Sequence, residues 1–159
     1  MNPMNYESIQ LLISGFLKKQ EKSFCFITAA SGTGKTTLLR RYCHMHENAF
    51  YMKLPLAILK SRKSVILAIL ESLEISHIKR YKSELQLIEL LNVVLRKKQV
   101  SLLVIDDIQE VKHTGRSLEL FEMLRVLSEQ TQVKFVFSGT DMPDLSASTA
   151  RRSEIQKAV

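Results

Sequence analysis

Nine consecutive residues, Ala29-Ala30-Ser31-Gly32-Thr33-Gly34-Lys35-Thr36-Thr37, have the types and spacing to hold a polyphosphate. Small residues let backbone N–H groups point inward around phosphate oxygens, and a helix that opens there adds its positive dipole end. Ala30, Ser31, Gly32, Thr33, Gly34, Lys35, Thr36 and Thr37 form the expected cradle for ATP. Lys35 is placed to reach the β- and γ-phosphates, and the Thr36 hydroxyl to complete the coordination of Mg²⁺. The flanks agree with this reading. The apolar run Phe24-Cys25-Phe26-Ile27-Thr28 comes first, and Thr36-Thr37-Leu38-Leu39-Arg40 reads as a helix start. Ala29 stands where the motif ordinarily begins with glycine, a mild loss if the backbone there is not left-handed.

A second constellation lies further along. Leu102-Leu103-Val104-Ile105 is a continuous apolar run that ends in Asp106-Asp107. This fits a strand buried on both faces of a parallel sheet, with acids emerging at its carboxyl end. Asp106 is the expected Mg²⁺ partner, acting through water because Mg²⁺ keeps much of its hydration shell. Asp107, one residue on, points elsewhere and is the candidate general base or orienter of the attacking water. Simple phosphate-loop kinases need no such second acid, so the pair favours ATP hydrolysis over small-molecule phosphorylation.

The elements that must position these residues alternate between helix and strand. Ile9, Leu12, Ile13, Phe16 and Leu17 predict a helix over Tyr6 to Lys19. A first strand over about 23–28 leads into the phosphate loop and a helix to about His46. Ala49 to Lys53 reads as a second strand, stopped by Pro55. Ser64 to Leu73 is a short apolar helix, and Ser83 with Gln86 three residues later forms a capping box. The helix that follows is expected to bury Leu85, Ile88, Leu91 and Leu95. Gly115 breaks the loop after the aspartates, a helix from about Ser117 to Glu129 buries Leu120, Leu124 and Leu127, and Lys134 to Ser138 reads as the last strand. The expected architecture is an α/β P-loop NTPase, a doubly wound parallel five-stranded sheet with helices on both faces and its ligand at the strand carboxyl ends. Cys43-His44-Met45-His46 has metal-ligand residue types, but adjacent helix positions do not share a face.

At 159 residues the chain has the size of one domain. It divides into an N-terminal helix (1–20), a phosphate-loop core (21–141) and a C-terminal tail (142–159). Hydrophobic residues make up 45% and charged residues 25%, which suits a globular protein. The longest uncharged apolar stretch, Ser64 to Leu70, is too short to span a bilayer, so no membrane partner is expected. The absence of a secretory pattern and the presence of only Cys25 and Cys43 make a cytoplasmic location the expectation. A net charge of +7 favours nucleic acid over an acidic protein as partner. The cations cluster at Lys60, Arg62 and Lys63, at Lys79, Arg80 and Lys82, and at Arg96, Lys97 and Lys98. With no Trp and no aromatic-rich basic strand, contact with the backbone of duplex DNA is the expected mode, without sequence reading.

In this order the motifs resemble those of the AAA+ ATPases that assist DNA transposition, the TniB, TnsC and MuB type. The resemblance runs from about Met4 to Asp144. It rests on Gly32-Thr33-Gly34-Lys35-Thr36-Thr37-Leu38-Leu39-Arg40-Arg41, Tyr51-Met52-Lys53, Leu103-Val104-Ile105-Asp106-Asp107, Leu120 to Leu127 and Phe137-Ser138-Gly139-Thr140-Asp141. It implies ATP-dependent assembly of a homo-oligomer on duplex DNA and recruitment of a transposase or target-selection protein, with hydrolysis serving release. It also implies a γ-phosphate sensor at the end of the last strand, where Thr140 fits best and Ser138 is the other candidate. DNA contacts are implied in the segment that holds Lys60, Arg62 and Lys63. The chain departs from the family in having Asp107 where many relatives have Glu, and in ending at Val159, ahead of the helical lid of such ATPases. Arg151 and Arg152 fit poorly as the trans-acting arginine, so the implied turnover is slow. An ATPase switch module of a signalling regulator is the alternative.

Overall fold

The computed structural model describes residues 4–54, 61–78, 83–109, 111, 117–141 and 155–158. Along the chain these form α1 (Tyr6–Leu17), β1 (Phe24–Thr28), α2 (Lys35–Met45), β2 (Ala49–Lys53) and α3 (Arg62–Ser72). They continue with α4 (Glu84–Lys97), β3 (Leu102–Asp106), α5 (Ser117–Thr131), β4 (Lys134–Gly139) and β5 (Ile155–Ala158). Among the described residues no helix is long and apolar enough to cross a membrane. Pro55, Lys60, Lys79, Arg80, Lys82, Gly115, Arg151 and Arg152 lie outside the described residues.

All strand pairs are parallel, in the order β2-β3-β4-β1-β5. Successive side chains of a strand point to opposite faces, so each buried strand feeds two cores. Phe24, Phe26, Leu103, Ile105, Phe135 and Phe137 pack on one face against α3, α4 and α5. Cys25, Ile27, Leu102, Val104 and Val136 pack on the other against Ile9, Ile13 and Phe16 of α1 and Leu39 of α2. The first face is held by a knot of rings, with the Phe137 centroid 5.0 Å from that of Phe26 and 5.0 Å from that of Phe121. Aromatic contacts of this kind add to the burial of large apolar side chains. The expected doubly wound parallel sheet is present.

Two expectations need correction. Lys134–Gly139 is not the last strand, because β5 pairs with β1 at the far edge and places Phe24 beside Ile155. Its sequence, Ile-Gln-Lys-Ala, carries no apolar run, and an edge strand needs none. The second correction concerns α4. Leu85 is 66% exposed, and the buried stripe is Leu87, Leu91, Val94 and Leu95. These positions share a face at helical spacing, whereas Leu85 sits in the first turn on another face.

The start of α4 is built as expected. Ser83 Oγ accepts from Gln86 N–H at 3.2 Å, and Gln86 Oε1 accepts from Ser83 N–H at 3.0 Å. Ser83→Ala removes the acceptor of Gln86 N–H and should cost about 1 kcal/mol of stability. Urea unfolding of the two proteins, compared at equal m-value, checks this. A midpoint that does not move would show that the box contributes nothing to α4.

Candidate nucleotide and hydrolysis site

The phosphate loop bridges the end of β1 and the start of α2. Gly32 and Gly34 have φ of 81° and 80°, in the left-handed region that a side chain disfavours. Gly34 is the N-cap of α2 and offers no side-chain acceptor, so the first turn of the helix keeps backbone N–H groups for another partner. Ala29 lies outside the left-handed region, which is why alanine is tolerated there. Its N–H donates to Gly139 O at 3.2 Å, fastening the loop to the end of β4. Thr33 Oγ1 donates to Ala30 O at 2.9 Å and closes the loop on itself.

Lys35 is 8% exposed, and among the described residues no acid is paired with its ammonium. A cation held so far from water is expensive without an anion. It lies beside the glycine loop and at the dipole end of α2, where a phosphate would supply that charge.

Asp106 is fully buried at the carboxyl end of β3, and it collects donors from four segments. Its Oδ2 accepts from Thr36 Oγ1 at 2.6 Å and from Tyr51 OH at 2.9 Å. Its Oδ1 accepts from the Ser138 hydroxyl and from Asp107 N–H, the latter at 2.9 Å. Burial pushes the carboxyl pKa up, but hydrogen bonds from Ser138, Thr36, Tyr51 and the backbone of Asp107 outweigh it and hold the pKa below the usual range. The same contact works in the opposite direction on Tyr51. Burial, then the hydrogen bond and negative charge of Asp106, push its phenol up to about 12, opposed by Arg40. The Arg40 guanidinium carbon lies 5.0 Å from the centre of the Tyr51 ring.

The donor set has the chemistry that Mg²⁺ needs. Thr36 and Asp106 offer oxygens only, one of them on an ionised carboxylate, and hard cations take oxygen ligands. The Thr36 hydroxyl proton is committed to Asp106, which leaves the lone pairs of that oxygen for a cation. The residues fit. His46, by contrast, turns Nδ1 to Tyr42 O at 2.8 Å and stacks on the Tyr42 ring at 4.0 Å, so its ring is engaged within its own helix.

Asp107 has φ of 61°, in the left-handed region. Aspartate visits that region more readily than most residues. Its Oδ2 lies 3.0 Å from Lys53 Nζ, at the end of the neighbouring strand β2, and its Oδ1 accepts from Gln109 Nε2 at 3.4 Å. Gln109 Oε1 in turn accepts from Thr140 N–H at 3.3 Å. A Cβ on Gly139 would meet that Oε1 at 2.4 Å, so a glycine at this strand end lets the amide approach. The two candidate sensors therefore sit differently. Ser138 touches Asp106 directly, while exposed Thr140 reaches Asp107 only through its backbone and Gln109.

Lys35, Thr36, Asp106, Asp107, Ser138 and Thr140 gather at the carboxyl ends of β1, β3 and β4 and the start of α2. Lys60 lies outside the described residues, Arg62 Nη2 is 2.8 Å from Glu84 Oε1, and Lys63 follows Arg62 at the start of α3. Sequence reasoning missed roles for Tyr51, Lys53 and Gln109. No local signal marked Tyr51 or Lys53, whose places depend on the register that sets Lys53 beside Asp106. Gln109 carried none.

Several solved structures share this fold. Drosophila ORC bound to DNA matches with a TM-score of 0.63 and 19% identity, over 95% of this chain and 41% of that one. The Aeropyrum pernix ORC2 protein in ADPNP–ADP complexes matches with a TM-score of 0.66 and 16% identity, over 95% and 46%. Domain III of the Thermotoga maritima replication initiation protein DnaA matches with a TM-score of 0.50 and 20% identity, over 99% and 63%. The chain thus spans less than half of the two ORC chains and under two thirds of the third. No curated protein sequence matches it. The family model described as an AAA domain matches residues 18–145, most of the chain and all of the site just described, and the protein belongs to that family of P-loop domains.

Proposed function

We propose that this AAA domain binds ATP with Mg²⁺, hydrolyses it slowly, and uses the nucleotide to assemble as a homo-oligomer on duplex DNA in support of DNA transposition. The observation that carries the nucleotide part is the convergence of Thr36, Asp106 and Ser138 beside a buried lysine that has no acidic partner among the described residues. Lys35 is assigned the β- and γ-phosphates, and Ala30 to Thr37 the backbone cradle. Thr36 and Asp106 would hold Mg²⁺, which supplies charge neutralisation on the phosphate oxygens when bound. Asp107 is assigned the attacking water, and Ser138 and Thr140 the sensing of the γ-phosphate. The Lys53 ammonium, 3.0 Å from Asp107 Oδ2, competes with an attacking water for that oxygen, which supports slow turnover in this arrangement.

The DNA part rests on the net charge of +7 and on kinship of fold with a DNA-bound ORC. The transposition part rests on the run of motifs from Gly32 to Asp141. Lys60, Arg62 and Lys63 are the candidates for phosphate contact in that segment, and Arg62 would have to leave Glu84, 2.8 Å away, to make it.

Electron microscopy of the purified chain with ATP, with and without duplex DNA of arbitrary sequence, tests the assembly. ATP-dependent oligomers on DNA are expected. Their affinity should fall with salt along a logarithmic slope of about 0.9 per phosphate neutralised. Monomers indifferent to ATP and DNA would refute the proposal.

A further inference from the structure

Asp106 has every acceptor position occupied. Oδ1 takes the Ser138 hydroxyl and Asp107 N–H, and Oδ2 takes Thr36 Oγ1 at 2.6 Å and Tyr51 OH at 2.9 Å. An ionised carboxylate offers about four lone-pair sites. A cation touching either oxygen directly must therefore displace a donor. The two oxygens are not equivalent. Oδ2 is the one shared with Thr36, which opens α2 next to the phosphate loop, whereas Oδ1 is bound by buried Ser138 and by the backbone. Tyr51 reaches Oδ2 from β2, and its ring is covered by Arg40 of α2. The Arg40 guanidinium over the ring thus helps to hold the hydroxyl on Oδ2.

We propose that Tyr51 is a positioning residue that sets which divalent cation the site accepts. By filling the second lone pair of Asp106 Oδ2 it keeps this carboxylate out of direct contact with the metal, joined to it only through the Thr36 hydroxyl. The inference rests on the nucleotide reading above and adds a selectivity device to it. Mg²⁺ sheds water reluctantly and keeps several waters, so it loses little when the carboxylate stays out of direct contact. Ca²⁺ gathers six to eight oxygens in flexible geometry and gains from a bare carboxylate oxygen. The Tyr51 hydroxyl denies it that oxygen. Ser138 makes the complementary control, since removing its hydroxyl frees Oδ1 on the buried side, away from Thr36.

Calorimetric titration of the full chain with the non-hydrolysable analogue AMP-PNP, in MgCl₂ and separately in CaCl₂, reads this selectivity without turnover. Tyr51→Phe is isosteric at a half-buried position and keeps the ring under Arg40. It should raise affinity in Ca²⁺ relative to Mg²⁺ by about threefold to tenfold, the scale of one typical hydrogen bond. Ser138→Ala should leave the ratio within about twofold, whatever it does to affinity or stability. An unmoved ratio in Tyr51→Phe, or an equal shift in Ser138→Ala, overturns the assignment of Tyr51 while leaving the nucleotide site intact. Wild-type binding that needs no divalent cation overturns the site reading, and the role of Tyr51 with it.

Discussion

Lys35→Ala should weaken ATP binding by about 10²- to 10³-fold, the effect expected when charge-assisted hydrogen bonds to two phosphates are lost. The rest of the cradle is backbone: a loop held open by left-handed Gly32 and Gly34, and the uncapped first turn of α2. Such dipoles orient a phosphate but carry no full charge, so nothing nearby replaces the ammonium. The structure also sets the sign of the accompanying stability change. Lys35 is nearly buried and, among the described residues, has no acidic partner, so its removal relieves a desolvation cost. The variant should therefore melt no lower than wild type without nucleotide, yet gain little from added ATP. Calorimetry for affinity and thermal melts with and without ATP check both halves. Unchanged affinity would remove the phosphate-loop assignment.

Asp107→Asn should lower kcat for ATP by about 10²- to 10⁴-fold while nucleotide affinity stays near wild type. The substitution keeps the size of the side chain and removes its basicity. Asp107 does not contribute its carboxylate to the Thr36–Asp106 pair; only its backbone N–H touches Asp106. Loss of the carboxylate also releases Lys53, which is 59% exposed and returns to solvent at little cost. Asp106→Asn should differ, because it removes the negative charge on which Thr36, Tyr51 and Ser138 all converge. Steady-state turnover beside a binding isotherm separates the two. Loss of Mg²⁺-dependent ATP binding in Asp107→Asn would reverse the roles given to the two acids.

The pattern of the site was largely legible in local sequence, and the misses share a cause. The phosphate loop is contiguous, and its conformation is written in the residues that adopt it. The tolerance of Ala29 was stated by the sequence only as a condition on one backbone angle, and the structure met that condition. Leu85 was misplaced because an apolar residue in the first turn of a helix satisfies the period without facing the core. β5 went unseen because an edge strand of Ile-Gln-Lys-Ala needs a neighbour rather than a pattern, and that neighbour, β1, lies far back along the chain.

By itself the sequence determined the P-loop α/β class, the strand-loop-helix that cradles phosphate and the two acids at the end of a buried strand. Each of these depends on residues adjacent in the chain and on hydrophobic period. Only the tertiary structure decided what surrounds the acids. The parallel register sets Lys53 beside Asp106 and brings Ser138 alongside from β4. That register puts Tyr51 on Oδ2, Lys53 on Asp107 and Gln109 between Asp107 and Thr140. Contacts between strands separated by whole helices have no local signature, because they depend on which strands become neighbours and by how many residues they are offset.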